Sequence, residues 1–517
     1  MKLTTLLFGL CLVSFIDAYK ILFYTNLFGH SHVKFLGAAA DTLTDAGHNV
    51  TVLMPIFDPS LKTSLKSTKN IIFVNASDEV AEFSKLRTKF LANMWIADNG
   101  NPLTMLKRIG MMSKTFGSQC KKMLTDKKLI ELIKAEEYDL AVTEPFDSCA
   151  YEFFEAIDIR AHVAALSCSR MDHVSDVIGQ PAALSYNPGV LSTHGDRMTM
   201  GQRLMNAFQY LAGAYFFAYI GDVDARIAKE INPKWRSWRE VVPEASYIFT
   251  NQIPLLDFPA PTFDKIVPIG GLSVKTDKKS LKLEEKWSKI LDIRKKNVFI
   301  SFGSNARSMD MPEEYKKSLL QVFRSMPDTT FIWKYEDVSD KLTEGIDNVH
   351  LGSWLPQNEL LGDPRLNVFV THGGLGSVTE LAMMGKPAVM IPLFADQSRN
   401  AHMLKRHGGA AVLVKEDLGN PQLVQSTIQR VLSDPSYLNN AKRLAEMLNN
   451  QPTNPQETFV KHVEFAARFG KLTSLDNYGR HQSYIVYYFL DIIAIGVLKL
   501  IVRRVRGEGI ETKSKKE

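Results

Sequence analysis

Between Val368 and Leu381 the chain reads VFVTHGGLGSVTEL, placing His372 where an apolar strand gives way to glycines and a helical pattern. Glycine weakens strands and helix interiors alike, so Gly373, Gly374 and Gly376 surrender local stability for some return. A helix that begins after His-Gly-Gly aims its free N–H groups and the positive end of its dipole at one point, which suits a diphosphate. With no side chains in the way, phosphate oxygens can approach the backbone, His372 can donate to one of them, and Ser377 adds a hydroxyl. Glu380, about two helical turns past His372, suits the hydroxyls of a ribose. Upstream, WLPQNELLGDPRLN offers the indole of Trp354 as a stacking face for a base and the amide of Gln357 to read its edge. Downstream, IPLFADQSRNA ends a strand on Asp396 and Gln397, an acid and an amide that match sugar hydroxyls.

These residues need strands that end together, and the sequence supplies two sets. In the first, KILFYTN leads through a Gly-His loop into VKFLGAAADTLTDAGHNV and the strand VTVLMP, a βαβ unit. YDLAVTE then ends a strand on Glu144, and AHVAAL supplies another. The second set comprises NVFISFGS, ending at Gly303 and Ser304, then TFIWKY, NVHLG, NVFVTHGG, PAVMIPL and AAVLV. Two doubly wound α/β sheets, joined near 259–290, would bind ligands where their strand ends face each other. Residues 100–125 and 194–223, rich in Met and Phe, read as core, with a greasy substrate pocket or a bilayer-touching hairpin as the sharper alternatives.

At 517 residues, with 45% hydrophobic and 23% charged, the chain suits two domains plus appendages. Much of the net charge of +6 lies in the last fifteen residues, and no basic patch is interleaved with aromatics, which argues against nucleic acid. MKLTTLLFGLCLVSFIDA, residues 1–18, matches a cleavable secretory signal. Tyr484–Val502, followed by Arg503 and Arg504, predicts one membrane-spanning helix with a basic cytosolic tail at 503–517, although Asp491 and Lys499 are expensive in lipid. The KSKKE ending resembles dilysine retrieval signals and points to the endoplasmic reticulum membrane, with the main domains lumenal. After signal removal Cys120, Cys149 and Cys168 remain, enough for one disulfide at most and without zinc-ligand spacing. The sequon at Asn75 is a glycosylation candidate, whereas that at Asn49 opens a strand.

With these motifs in view, Trp354–Ala401 resembles the signature of UDP-glycosyltransferases. Nearly the whole chain is similar to the membrane-bound UDP-glucuronosyltransferase family, its invertebrate members included. The resemblance implies the B-type glycosyltransferase fold: two Rossmann-like domains facing across a cleft, with the acceptor in 19–265, the UDP-sugar in 266–470, and a transmembrane helix at 484–502. It implies that Trp354 stacks on uracil, Gln357 supports the nucleoside, and Ser304, His372, Gly374 and Ser377 hold the diphosphate. Glu380 would take the ribose, and Asp396 with Gln397 the sugar. The expected reaction is an inverting transfer of glucuronate or glucose to a hydroxyl of a small lipophilic acceptor, without metal or cofactor beyond the UDP-sugar donor. A base must accept the acceptor's proton. His32 follows a serine and stands sixteen residues before His48, the family's spacing, so it is preferred over His30. Glu144 stands where the family carries an Asp that orients the base, and Asp147 is the alternative. A non-catalytic membrane protein that binds nucleotide-sugar or hydrophobic ligand is the rival reading. A dinucleotide oxidoreductase would need a G-x-G-x-x-G turn that TNLFGHSHVKF lacks. A homo-oligomer stays open.

Overall fold

The structure, a computed structural model, describes residues 18–96, 102–274 and 281–506. The expected signal at 1–18 thus falls almost wholly outside the described residues, as does most of the 503–517 tail. Seven parallel strands form the first sheet: β1 (Lys20–Tyr24), β2 (Asn49–Pro55), β3 (Asn70–Val74), β4 (Leu140–Thr143), β5 (His162–Leu166), β6 (Ile248–Thr250) and β7 (Ile266–Pro268). Their order is β3-β2-β1-β4-β5-β6-β7. Six more parallel strands form the second: β8 (Lys296–Ser301), β9 (Thr329–Lys334), β10 (Val349–Gly352), β11 (Val368–Thr371), β12 (Ala388–Met390) and β13 (Ala410–Val412), ordered β10-β9-β8-β11-β12-β13. In each sheet the order reverses beside the first strand, between β1 and β4 and between β8 and β11. Loops leaving the two strands there diverge and open a crevice at their carboxyl ends.

Both faces of each sheet are buried, which is why the strands read as unbroken apolar runs. Along β1, Leu22 and Tyr24 enter one core cluster while Ile21 and Phe23 enter the opposite one. In the second sheet Val298 and Ile300 point one way and Phe299 the other. Phe299 is in register with Phe369 on β11, and their rings stack at 4.6 Å between centroids. Burying each ring contributes roughly 1.5–3 kcal/mol. The Met- and Phe-rich segments fold as helices Pro102–Thr125 and Met200–Ile231, which pack along one another beside the first sheet. The disulfide Cys120–Cys149 ties the first of them to the helix Cys149–Ala156, leaving Cys168 free.

Two expected borders move. β7 begins at Ile266 and completes the first sheet, so the division at 265/266 cuts one strand from its domain. The helix Pro455–Phe469, expected with the second domain, returns to the first, where Phe459, Val463, Ala466 and Ala467 pack into the core beside β1 and β5. Conversely, Ile253, Leu256 and Phe258, between β6 and β7, lie in the second domain's core. The domains are therefore interlaced rather than strung in series.

The transmembrane helix expected at 484–502 is not formed. A short turn, Tyr484–Tyr487, is followed by Phe489 at φ 56°, and a new helix begins at Leu490. The aromatic run YYF is a weak helix former, and Asp491 suits a helix start, where its carboxylate accepts from the N–H of Ile492 at 2.9 Å. The new helix, Leu490–Val505, has 16 residues. It rises about 24 Å, against a hydrocarbon core of roughly 30 Å. Among the described residues no helix is long and apolar enough to cross a membrane.

Arg399 joins the domains. Its guanidinium pairs with Asp257 at 2.8 Å and donates to Ser169 Oγ at 3.0 Å and the Pro188 carbonyl at 3.2 Å, with both charged side chains 2% exposed. Arg399→Met would leave a buried carboxylate without its cation, which costs about 3–5 kcal/mol. A markedly lower melting temperature is expected by differential scanning fluorimetry. Arg399→Lys should recover only part of it, because a single ammonium cannot span all three acceptors.

Candidate active site

His32 lies in the first turn of the helix His30–Asp45, which leaves the carboxyl end of β1. Its Nδ1 is 2.6 Å from Glu144 Oε2, and Glu144 directly follows β4, the neighbour of β1. Ser167, directly after β5, completes the arrangement: its N–H donates to Glu144 Oε1 at 2.7 Å and its hydroxyl lies 2.9 Å from His32 Nδ1. Glu144 is 6% exposed while the His32 side chain keeps 24%, so the carboxylate is enclosed and the imidazole still meets the cleft. Burial alone would lower the pKa of His32. The charge and hydrogen bond of Glu144, with a contribution from Asp396, outweigh that and raise it above the usual histidine value. Burial pushes Glu144 upward, but His32 and the Ser167 donors hold it below the usual carboxylate value. Asp147, the alternative partner, faces elsewhere: it accepts from Asn26 Nδ2 at 2.7 Å and from the Cys149 N–H at 3.1 Å.

Across the cleft, His372 follows β11 and lies against the loop after β8. Gly303 sits at φ +83°, and a Cβ there would fall 2.6 Å from His372 Cε1; one on Gly374 would fall 2.8 Å from Nε2. The glycines therefore make room for the imidazole as well as for a ligand. Burial and the nearby Lys334 charge lower the pKa of His372 to about 4, so at neutral pH its ring is uncharged and offers one N–H. The helix Leu375–Met384 starts beside it, with Ser377 near its beginning and Glu380 buried within. Gln357 Nε2 donates to Ser377 Oγ at 3.0 Å and to Glu380 Oε2 at 2.5 Å, so three of the expected residues form one network. Trp354 is 64% exposed beside them, its ring 5.5 Å edge-on from that of His30. Ser304 is exposed after β8.

Asp396 is held by Asn400 Nδ2 at 2.8 Å, and burial raises its pKa. Its charge and that of His32 act on each other, so the two sides of the cleft meet there. Gln397 departs from expectation. Its side-chain oxygen accepts from the Leu393 N–H at 2.9 Å and the Phe394 N–H at 3.1 Å, shaping its own loop and leaving only the amide nitrogen for a sugar. Among the described residues no group of His, Cys, Asp and Glu could hold a metal ion.

A Rossmann-like pair of sheets with this cleft has counterparts among known proteins. The sequence matches the family described as UDP-glucoronosyl and UDP-glucosyl transferase over residues 20–508. The chain belongs to that family. It is similar to the Caenorhabditis elegans protein ugt-47, 28% identical over 92% of this chain and 89% of that one. Human UDP-glucuronosyltransferase 1A8 is 26% identical over 90% of this chain and 86% of its own. The structure of Phytolacca americana UGT2 with UDP-2fluoro-glucose and pterostilbene shares the fold, with a TM-score of 0.57 at 15% identity, over 87% of this chain and 100% of that chain. This UDP-glycosyltransferase therefore draws on a UDP-sugar donor and needs no further cofactor.

Several residues of this UDP-glycosyltransferase's cleft escaped the sequence. Ser167 could have been found as the residue just past a predicted strand. Lys34, one turn after His30, pairs with Glu380 across the cleft. Trp95 donates to the Arg307 carbonyl at 3.1 Å and packs 5.1 Å from Phe302, and nothing in its local sequence marks it as crossing between domains. The electrostatics of the first-domain wall can be checked directly. In Glu144→Gln the charge that offsets burial is gone, so the pKa of His32 should fall below the usual histidine value, read from imidazole chemical shifts against pH. A pKa that stays raised would assign the shift to another group.

Proposed function

We propose that this UDP-glycosyltransferase transfers glucose or glucuronate, with inversion, to a hydroxyl of a small lipophilic acceptor, using His32 as general base and Glu144 to orient it. The observation that carries this reading is the 2.6 Å contact between His32 Nδ1 and an enclosed carboxylate, at the point where Asp396 approaches from the donor side. With Nδ1 engaged by Glu144, Nε2 is the nitrogen that takes the acceptor's proton. The acceptor oxygen bonds to the anomeric carbon as the bond from that carbon to UDP breaks, and the proton passes to Nε2. The resulting imidazolium is stabilised by the Glu144 carboxylate.

On the donor side, Trp354 stacks on the base, Gln357 supports the nucleoside and Glu380 takes the ribose hydroxyls. His372, Ser304, Ser377 and the N–H groups after Gly374 hold the diphosphate as charge develops on the leaving group. Asp396 and the Gln397 amide take the sugar hydroxyls. A mere binder of nucleotide-sugar needs no imidazole fixed in one tautomer, and this feature favours transfer over binding alone.

The base must be neutral to accept a proton. With the pKa of His32 raised, activity should climb with pH through a midpoint above the usual histidine value, and be lost as pH falls below it. UDP release, measured with UDP-glucose and UDP-glucuronate in turn over a panel of phenols and sterols, should reveal one preferred donor. His32→Ala should lower the rate by about 10²–10⁴-fold, the range general base catalysis supplies. Undiminished release in that variant would remove His32 from the role, and donor binding without release would favour the binding protein.

A further inference from the structure

His32 lines a small cavity open to the cleft, with about 20 Å³ of space, enough for one small polar group. Part of its lining is what a lipophilic acceptor needs: Leu36 from the helix of His32, and Phe28 and Phe146, whose rings stack at 5.9 Å. The carboxyl ends of β1 and β4 line the rest, and there the chemistry changes to Tyr24, Thr25, Asn26 and Asp147. Tyr24 is 1% exposed and Thr25 5%, yet among the described residues neither hydroxyl finds a hydrogen-bond partner, and Asn26 Oδ1 finds none either. A buried hydroxyl left unpaired costs about 1–3 kcal/mol, so three such groups on one cavity wall point to a polar occupant.

The titratable groups of that wall are acids. Glu152 and Asp224, both 0% exposed, lie behind it, with Glu152 Oε2 and both Asp224 oxygens unpartnered. Among the described residues, the charged groups that act on Asp147, Glu152 and Asp224 are other acids. Burial keeps Glu152 and Asp224 far above the usual carboxylate range and lifts Asp147 to about 6, so Asp147 is the one that carries charge readily at neutral pH. The Asn26 amide and the Cys149 N–H serve Asp147, and the Trp238 N–H serves Glu152 Oε1, which leaves the Tyr24 and Thr25 hydroxyls and Asn26 Oδ1 to be met by a group from outside.

We infer that Tyr24, Thr25, Asn26 and Asp147 form an acceptor-recognition subsite that takes a hydrogen-bond-donating group, an ammonium or a second hydroxyl, on an acceptor whose reacting hydroxyl stands at His32. The inference rests on the transferase reading above and deepens it, because an acceptor pocket of apolar rings alone would select only for size. It predicts bifunctional acceptors, apolar in the middle and polar at the end away from the transferred sugar.

Three phenols of equal heavy-atom count test it on the full chain: 4-propylphenol, 4-(2-hydroxyethyl)phenol and 4-(2-aminoethyl)phenol, each with the preferred donor. The wild-type kcat/KM should favour a polar-ended phenol over the propyl one, mainly through KM. Tyr24→Phe, which removes one hydroxyl and little else, and Asp147→Asn, which keeps an oxygen for the Cys149 N–H, should each cut that preference about tenfold. Loss confined to the amine in Asp147→Asn identifies a cation site, and equal loss for amine and alcohol identifies a neutral one; either supports the subsite. Variants that shift all three phenols by one factor, or a wild type that prefers the propyl compound, overturn it. Binding of the same phenols in the presence of UDP, followed by tryptophan fluorescence, separates the two readings. Selective binding of a polar-ended phenol without transfer keeps the subsite and removes the transferase.

Discussion

A carboxylate enclosed to 6% exposure is stable only if its oxygens are engaged, and the first-domain wall of the cleft is organised around doing that for Glu144. One oxygen accepts from the Ser167 backbone and the other meets His32, so three consecutive strands, β1, β4 and β5, must end level with one another. The helix carrying His32 must also start abruptly. Gly29 permits this at φ +66°, a region that disfavours side chains, and a Cβ there would stand 2.9 Å from the His32 ring. A change at any of these positions would reach the imidazole through the carboxylate, because among the described residues of the first domain neither group has a second ionic partner to replace the other.

The second sheet repeats the device with opposite chemistry. Its reversal between β8 and β11 brings Gly303–Ser304 against His372, and here no carboxylate opposes burial, so the imidazole is kept neutral. Two histidines at equivalent switch points thus end in different protonation regimes, one suited to taking a proton and one to donating a hydrogen bond without charge. The domains that carry them are interlaced. Trp95 from the first domain sits in the second core at 0% exposure, Arg399 reaches back to Ser169 and Pro188, and Pro455–Phe469 closes over the first core.

The sequence made the sheets legible because both faces are buried: nine of the runs it singled out became β1, β2, β4, β5, β8, β9, β10, β11 and β12, and AAVLV became β13. The sequence does not show β6 and β7, whose three residues each are too few for a pattern, nor β3, whose five residues are mixed in burial. The resemblance pointed to His32, Glu144, Gln357, Ser377 and Glu380, and the fold brings His32 to Glu144 and Gln357 to Ser377 and Glu380, because strands and the helices after them start and end together at the cleft. Contacts made by domains against each other, such as Lys34 with Glu380 or Trp95 with Arg307, have no local signature. The broken helix at Phe489 was missed for a related reason, because hydropathy counts apolar residues and does not register where a helix restarts.

The interdomain pair at Glu380 has a consequence for the donor. One of its oxygens accepts from Gln357 and the other from Lys34, and Glu380 itself is 3% exposed. On the proposed assignment, a ribose hydroxyl approaching this carboxylate would meet two oxygens already engaged by donors, one of them charged. It must share a remaining lone pair or displace the ammonium, and Lys34 sits on the same helix as His32. Under the proposed assignment, occupation of the nucleoside wall would be coupled to the helix that presents the imidazole. His30, two residues before His32, touches Trp354 from that helix as well. If the proposed roles hold, a nucleotide that altered the contacts of Glu380 or Trp354 would act on the end of the helix that carries His32.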